Sequence, residues 1–184
     1  VSTLDLTTAA TSITNTGALT LEDSTLSGQL DLDTSSTLAM KALSATGETV
    51  NITTGGAMTD ADADAAGADS TVNVTADTLN LLGDQAVTDI ETAVSTLDLT
   101  TAATSITNTG AVAISGTVSD TLSLTSTGAI TDSAATTIDV SGTATLDAGA
   151  NAITLGDVVG DTINFGSLDI KGSTVQITED SDMS

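Results

Sequence analysis

Residues 1–18 read VSTLDLTTAATSITNTGA, and the same eighteen residues recur unchanged from Val94 to Ala111, an offset of 93. Internal repetition on this scale is read before local structure, because it decides what kind of object the chain is. A weaker match has a different offset. GGAMTD ending at Asp60 parallels TGAITD ending at Asp132, while Val72-Asn73-Val74 parallels Ile138-Asp139-Val140, so the offset falls from 72 to 66. The difference lies in Ala-rich, acidic residues 61–69, which read as an enlarged loop on a repeated scaffold. The chain is therefore taken as one segment, 1–184, duplicated as 1–93 and 94–184 and built from a unit shorter than 93.

That unit shows in a triplet with an Asp, Asn or Ser between two apolar residues. It occurs at Leu4-Asp5-Leu6, Leu30-Asp31-Leu32, Val50-Asn51-Ile52, Val72-Asn73-Val74, Leu97-Asp98-Leu99, Leu122-Ser123-Leu124, Ile138-Asp139-Val140 and Ile163-Asn164-Phe165. Leu79-Asn80-Leu81 and Leu168-Asp169-Ile170 fit as well. The mean gap is about 23, and four such turns account for the 93-residue duplication. Alternate strand residues face opposite ways, so the aliphatics point inward and the central polar residue points to water. Short strands joined at small-residue corners such as Gly17-Ala18, Gly56-Ala57, Gly110-Ala111 and Gly128-Ala129 predict an all-β parallel solenoid of about eight turns of roughly 20–25 residues. The central residues of the eight triplets are expected to form one outward file, and Phe165 to fill the core.

Composition removes whole classes of function. There are 25 acidic residues against Lys41 and Lys171, giving a net charge of −23, and His, Cys, Pro, Trp, Tyr and Arg are absent. Such a surface repels phosphate backbones and anionic headgroups, so nucleic acid is excluded as a partner. Apolar residues make up 39% of the chain, enough to argue against disorder, and no apolar run approaches the length of a membrane span.

Carboxylates are nearly the whole reactive inventory. Asp31 and Asp33 share a strand face, as do Asp62 and Asp64, the spacing a glycoside hydrolase pair would use. With no aromatic platform for a sugar ring and no imidazole, thiol or guanidinium, the chain is expected not to be an enzyme. Calcium suits the inventory better, since carboxylate and carbonyl oxygens are its ligands. The candidate site is Asp60, Asp62, Asp64 and Asp69, with Glu179, Asp180 and Asp182 as a second cluster; neither has EF-hand or β-roll spacing. Beyond possible calcium no cofactor is expected. Ice binding would need aligned Thr-x-Thr on successive turns, and such pairs occur singly, as at Thr14-Asn15-Thr16 and Thr107-Asn108-Thr109.

Ser126-Thr127-Gly128-Ala129-Ile130-Thr131-Asp132, Ala150-Asn151-Ala152-Ile153-Thr154-Leu155-Gly156-Asp157 and Val175-Gln176-Ile177-Thr178-Glu179-Asp180-Ser181-Asp182 resemble the strand repeats of giant bacterial surface proteins, the haemagglutinin-like, two-partner-secretion-type exoproteins. The resemblance implies a right-handed β-helix, export to the cell surface or medium, and work as a stalk or adhesive fibre. The family's amino-terminal secretion module, with its Asn-Pro motifs, is not represented, since there is no proline. The expected function is thus a structural stalk or filament-forming segment that presents adhesive regions; the alternative is a calcium-dependent adhesin or ligand-binding module. No cap is evident at either end of the repeats. The expected partners are accordingly further repeats of a longer polypeptide, or other copies stacked head to tail.

Overall fold

The computed structural model describes residues 2–62, 71–133 and 135–180. Twenty strands run from Thr3–Leu4 to Thr174–Ile177, no helix is present among the described residues, and every strand pairing is parallel. The chain is a β-solenoid. One ladder carries eight rungs, through Ile13, Leu32, Ile52, Leu81, Leu99, Gly116, Ile138 and Ile163. At about 4.8 Å per rung it spans roughly 34 Å.

The core follows from the period of two. In the strand Leu30–Thr34 the leucines are buried and Asp31 and Asp33 exposed, and the next rungs repeat this with Val50 and Ile52, Leu79 and Leu81, Leu97 and Leu99. Stacked aliphatics therefore touch along the whole axis, which is how each short strand hides a face it could not bury alone. Phe165, 2% exposed, sits in this core as expected.

The amino-terminal half has three ladders. The first runs through Leu19–Leu21, Leu38–Met40 and Met58–Asp60. The second takes Ser24–Leu26 and the starts of Leu43–Thr54 and Val74–Leu82, and the third begins with Thr11–Asn15 and Leu30–Thr34. Val87–Ala93 then pairs with both the first ladder, at Met58, and the second, at Val74, so two faces fuse into one. Val112–Val118 reverses the change, since its start pairs with Ile130–Asp132 and its end with Ile138 to Val140. Gly116 makes this junction possible. Its φ is +107°, and a Cβ there would collide with the Leu99 carbonyl oxygen.

Two expectations need correction. The 93-residue duplication is not a whole number of turns: Ile13 reaches Leu99 in four rungs, 86 positions along. The two identical segments consequently exchange faces. Thr11–Asn15 lies in the third ladder, which Thr96–Thr101 joins, whereas Thr104–Asn108 stacks on Val87, in the ladder of Met58. Along the third ladder the rung offsets range from 17 to 29, the longest being Ile52 to Leu81.

Nor do the triplet centres form one file. Asp31, Asn51, Asn80, Asp98 and Ser115 align, while Ser123 aligns with Ser105 and Thr145, and Asp139 pairs with Asn164. Asp5 lies outside the strands, and Asn73 points inward, fully buried. It is held by donation to the Met40 carbonyl oxygen (3.3 Å) and to Asp60 Oδ1 (2.8 Å), and it accepts the Glu91 N–H (2.8 Å). A polar residue at the end of a strand can turn in where it satisfies a corner, which is what outweighed the alternation.

Thr178 N–H donates to the Leu155 carbonyl and Asp180 N–H to that of Ile163, and the Asp180 and Glu179 carboxylates accept the N–H groups of Ile163 (2.9 Å) and Phe165 (3.0 Å).

Candidate functional site

Only part of the sequence candidates falls within the described residues. Asp60 closes the strand Met58–Asp60; its Oδ1 accepts the Asp62 N–H (3.1 Å) and the Asn73 side-chain amide, and its Oδ2 is buried with no hydrogen-bond partner among the described residues. Asp62 is exposed, and Asp64 and Asp69 lie outside the described residues. Of the second cluster, Asp180 and Glu179 accept the N–H groups of Ile163 and Phe165, and Asp182 is also outside the described residues. Asp31 and Asp33 stand side by side on one exposed strand face, and Asp31 is tied to its neighbours by accepting from Gln29 (2.8 Å) and Asn51 (2.5 Å).

Among the described residues the structure brings a further set together. Asp132 ends the strand Ile130–Asp132, and one rung on, Ala152–Leu155 runs into the loop Gly156-Asp157-Val158-Val159-Gly160-Asp161. Two glycines with positive φ, Gly156 at +69° and Gly160 at +105°, let the loop fold back before Thr162. Carboxylate oxygens of Asp132, Asp157 and Asp161 then lie within 4.8 Å of one another. Asp132 Oδ2 accepts the Gly156 N–H at 2.7 Å. Asp161 accepts the N–H groups of Thr136 (3.1 Å) and Val158 (2.9 Å), which fixes the loop's base.

Electrostatics separates the three. Burial pushes the Asp132 carboxyl above its ordinary range, against the Gly156 N–H, and the charges of Asp161 and Asp157 push the same way. Asp161 is held below its ordinary range, chiefly by the Thr136 N–H, with Val158, Ala135 and the Asp132 carboxyl adding to this. The lysines are engaged elsewhere: Lys41 with Glu22 at 2.6 Å and Lys171 with Asp147 at 2.8 Å. Three convergent carboxylates with no protein cation between them form an oxygen-donor set for a hard cation. Val158, 46% exposed, and Val159, 99% exposed, form the tip of the same loop.

These residues sit in a stretch that also answers to a known repeat pattern. Residues 115–164 match a family described as repeats of unknown function (DUF5649). The DUF5649 match spans about two turns, from Gly116 through Ile138 to Ile163, and includes all three aspartates. No curated protein and no solved structure matches the chain.

In the sequence TGAITD, ending at Asp132, stands as one copy of a repeat, with nothing local that joins it to GDVVGD. The signal was present in the two glycines bracketing Asp157 and the Asp directly after the second. Joining them required the register Ile130 to Ile153, 23 positions, which the scattered triplet spacing did not supply.

Proposed function

We propose that this chain is a structural segment of a long, exported bacterial surface protein of the haemagglutinin-like kind, a stalk that spans distance and presents adhesive regions carried elsewhere. The observation that carries the reading is the unbroken third ladder of eight rungs over a continuous aliphatic core. A solenoid of this type lengthens by adding turns, each stabilised by its neighbours, so length and stiffness come from the same contacts. The repeat match at residues 115–164 supports a repetitive module. In this reading the segment is not catalytic, and its partners are further turns of the same polypeptide or copies stacked end to end. The test is immunogold labelling of intact cells that encode it, with antibody raised against this segment. The reading requires label outside the envelope and held away from it; label seen only after permeabilisation contradicts it.

The second reading, a calcium-stabilised binding module, is favoured by one observation, the convergence of Asp132, Asp157 and Asp161. Its test is the melting temperature in millimolar calcium against magnesium at equal ionic strength. A rise specific to calcium that Asp132→Asn removes supports it, and equal curves reject it.

A further inference from the structure

Away from the aspartate loop, the outward face of the third ladder holds a groove of about 400 Å³ across its first four rungs. Its floor is polar. Ser12, Asp31 and Asn51 lie in one file and Thr14, Asp33 and Thr53 in the next, where the fourth rung places Leu82, 38% exposed, as an apolar wall. Asn80 donates to Asn51 Oδ1 (2.6 Å), Asn51 donates to Asp31 Oδ1, and Gln29 donates to that same oxygen, so a line of amides is oriented toward one carboxylate. Those hydrogen bonds, Asn51's above all, hold Asp31 below its ordinary pKa. Both lysines are paired with other acids, so the groove offers two carboxylates without a protein cation.

Three features select the occupant. The strand Leu30–Thr34 is paired on both sides, by Thr11–Asn15 and Val50–Thr54, which leaves no free edge for an added peptide strand. The only aromatic, Phe165, is buried, so a neutral sugar finds no stacking platform and charge must supply the affinity. Hydroxyl and amide groups repeat rung by rung along the axis, which suits a polymer with hydroxyls along its length and a C–H face to lay on Leu82. We propose that this groove binds a linear, amine-bearing glycan, with its ammonium groups on Asp31 and Asp33 and its hydroxyls on Asn51, Ser12 and Thr14. This binding is independent of the stalk reading, which stands or falls by other observations.

The test is calorimetric titration of the full chain with a glucosamine hexamer, its N-acetylated counterpart and a lysine hexapeptide. The glucosamine hexamer should bind saturably and the N-acetylated one should not. Asp31→Asn with Asp33→Asn should weaken binding about tenfold, while Asp139→Asn with Asp169→Asn, the same charge change on other strands, should alter it less than about twofold. Thr53→Lys, which sets a cation within the groove, should cause a comparable loss by another route. The proposal is overturned by absence of glucosamine binding, by equal losses in the two double variants, by binding that survives Thr53→Lys, or by a lysine hexapeptide that binds as tightly and depends equally on Asp31 and Asp33.

Discussion

At the scale of single residues, neighbours one position apart do opposite work. Leu99 is 2% exposed among stacked aliphatics, whereas Asp98 faces outward in the polar file. Leu99→Asp should therefore cost about 4 kcal/mol or more in chemical denaturation, and Asp98→Asn should be nearly neutral. Equal midpoints for the two would reverse the assignment of faces. Asn108, although polar, is buried because it satisfies a corner. It accepts from the Thr92 hydroxyl and Val94 N–H and donates to the Val94 and Gly110 carbonyls. Asn108→Ala strands several of those groups and should cost about 2–4 kcal/mol. Asp31 offers a check by titration. Its pKa is depressed, so the stability it contributes is present above the unfolded-state value and is lost as pH falls through the lower, folded one. In a carbon-13 titration its carboxyl should ionise below the ordinary Asp range, and Asn51→Ala should move it back up. No change in that variant would remove Asn51 as the cause.

At the scale of strands, the two copies of VSTLDLTTAATSITNTGA show that eighteen identical residues fix a corner without fixing a face. In both copies the asparagine after Ser-Ile-Thr turns inward and its amide donates to a glycine carbonyl two residues on, Asn15 to Gly17 and Asn108 to Gly110. In both, a hydroxyl from the next rung, Thr34 or Ser126, donates to that same carbonyl. The ladder each copy joins is set instead by the lengths of the turns before it. This is why the architecture was legible from alternation and period, while the register was not. Inward aliphatics at Leu30, Leu32, Val50, Ile52, Leu97 and Leu99 follow directly from the triplets, but Asn73 was misplaced because a corner can draw a polar residue inside. The aspartate cluster depends on register and was missed for the same reason. Unequal settings also make equivalent positions unequal in energy. Leu97 is fully buried between Leu79 and Ile114, while its counterpart Leu4 stands half-buried on the first rung. Leu97→Ala should cost about 2–5 kcal/mol and Leu4→Ala about 1 kcal/mol, read from denaturant midpoints.

At the scale of the whole molecule, a net charge of −23 with two lysines is confined to a narrow rod, so self-repulsion works against folding at every rung. Added sodium chloride should raise the melting temperature progressively as screening shortens those interactions; a melting temperature independent of salt would mean the charges are already far enough apart to ignore. The rod itself rests on one claim, that successive turns stack in parallel and in the register of the third ladder. The chain has no cysteine, so two introduced thiols can be spin-labelled without background. Ser12 and Ser115 lie in one outward file five rungs apart, although 103 residues separate them. The most direct test is the electron–electron dipolar distance between labels at Ser12→Cys and Ser115→Cys. Parallel stacking at about 4.8 Å per rung predicts a narrow distribution centred near about 24 Å, widened only by the label's own reach. A broad distribution, or a centre displaced by more than the span of two rungs, would contradict it.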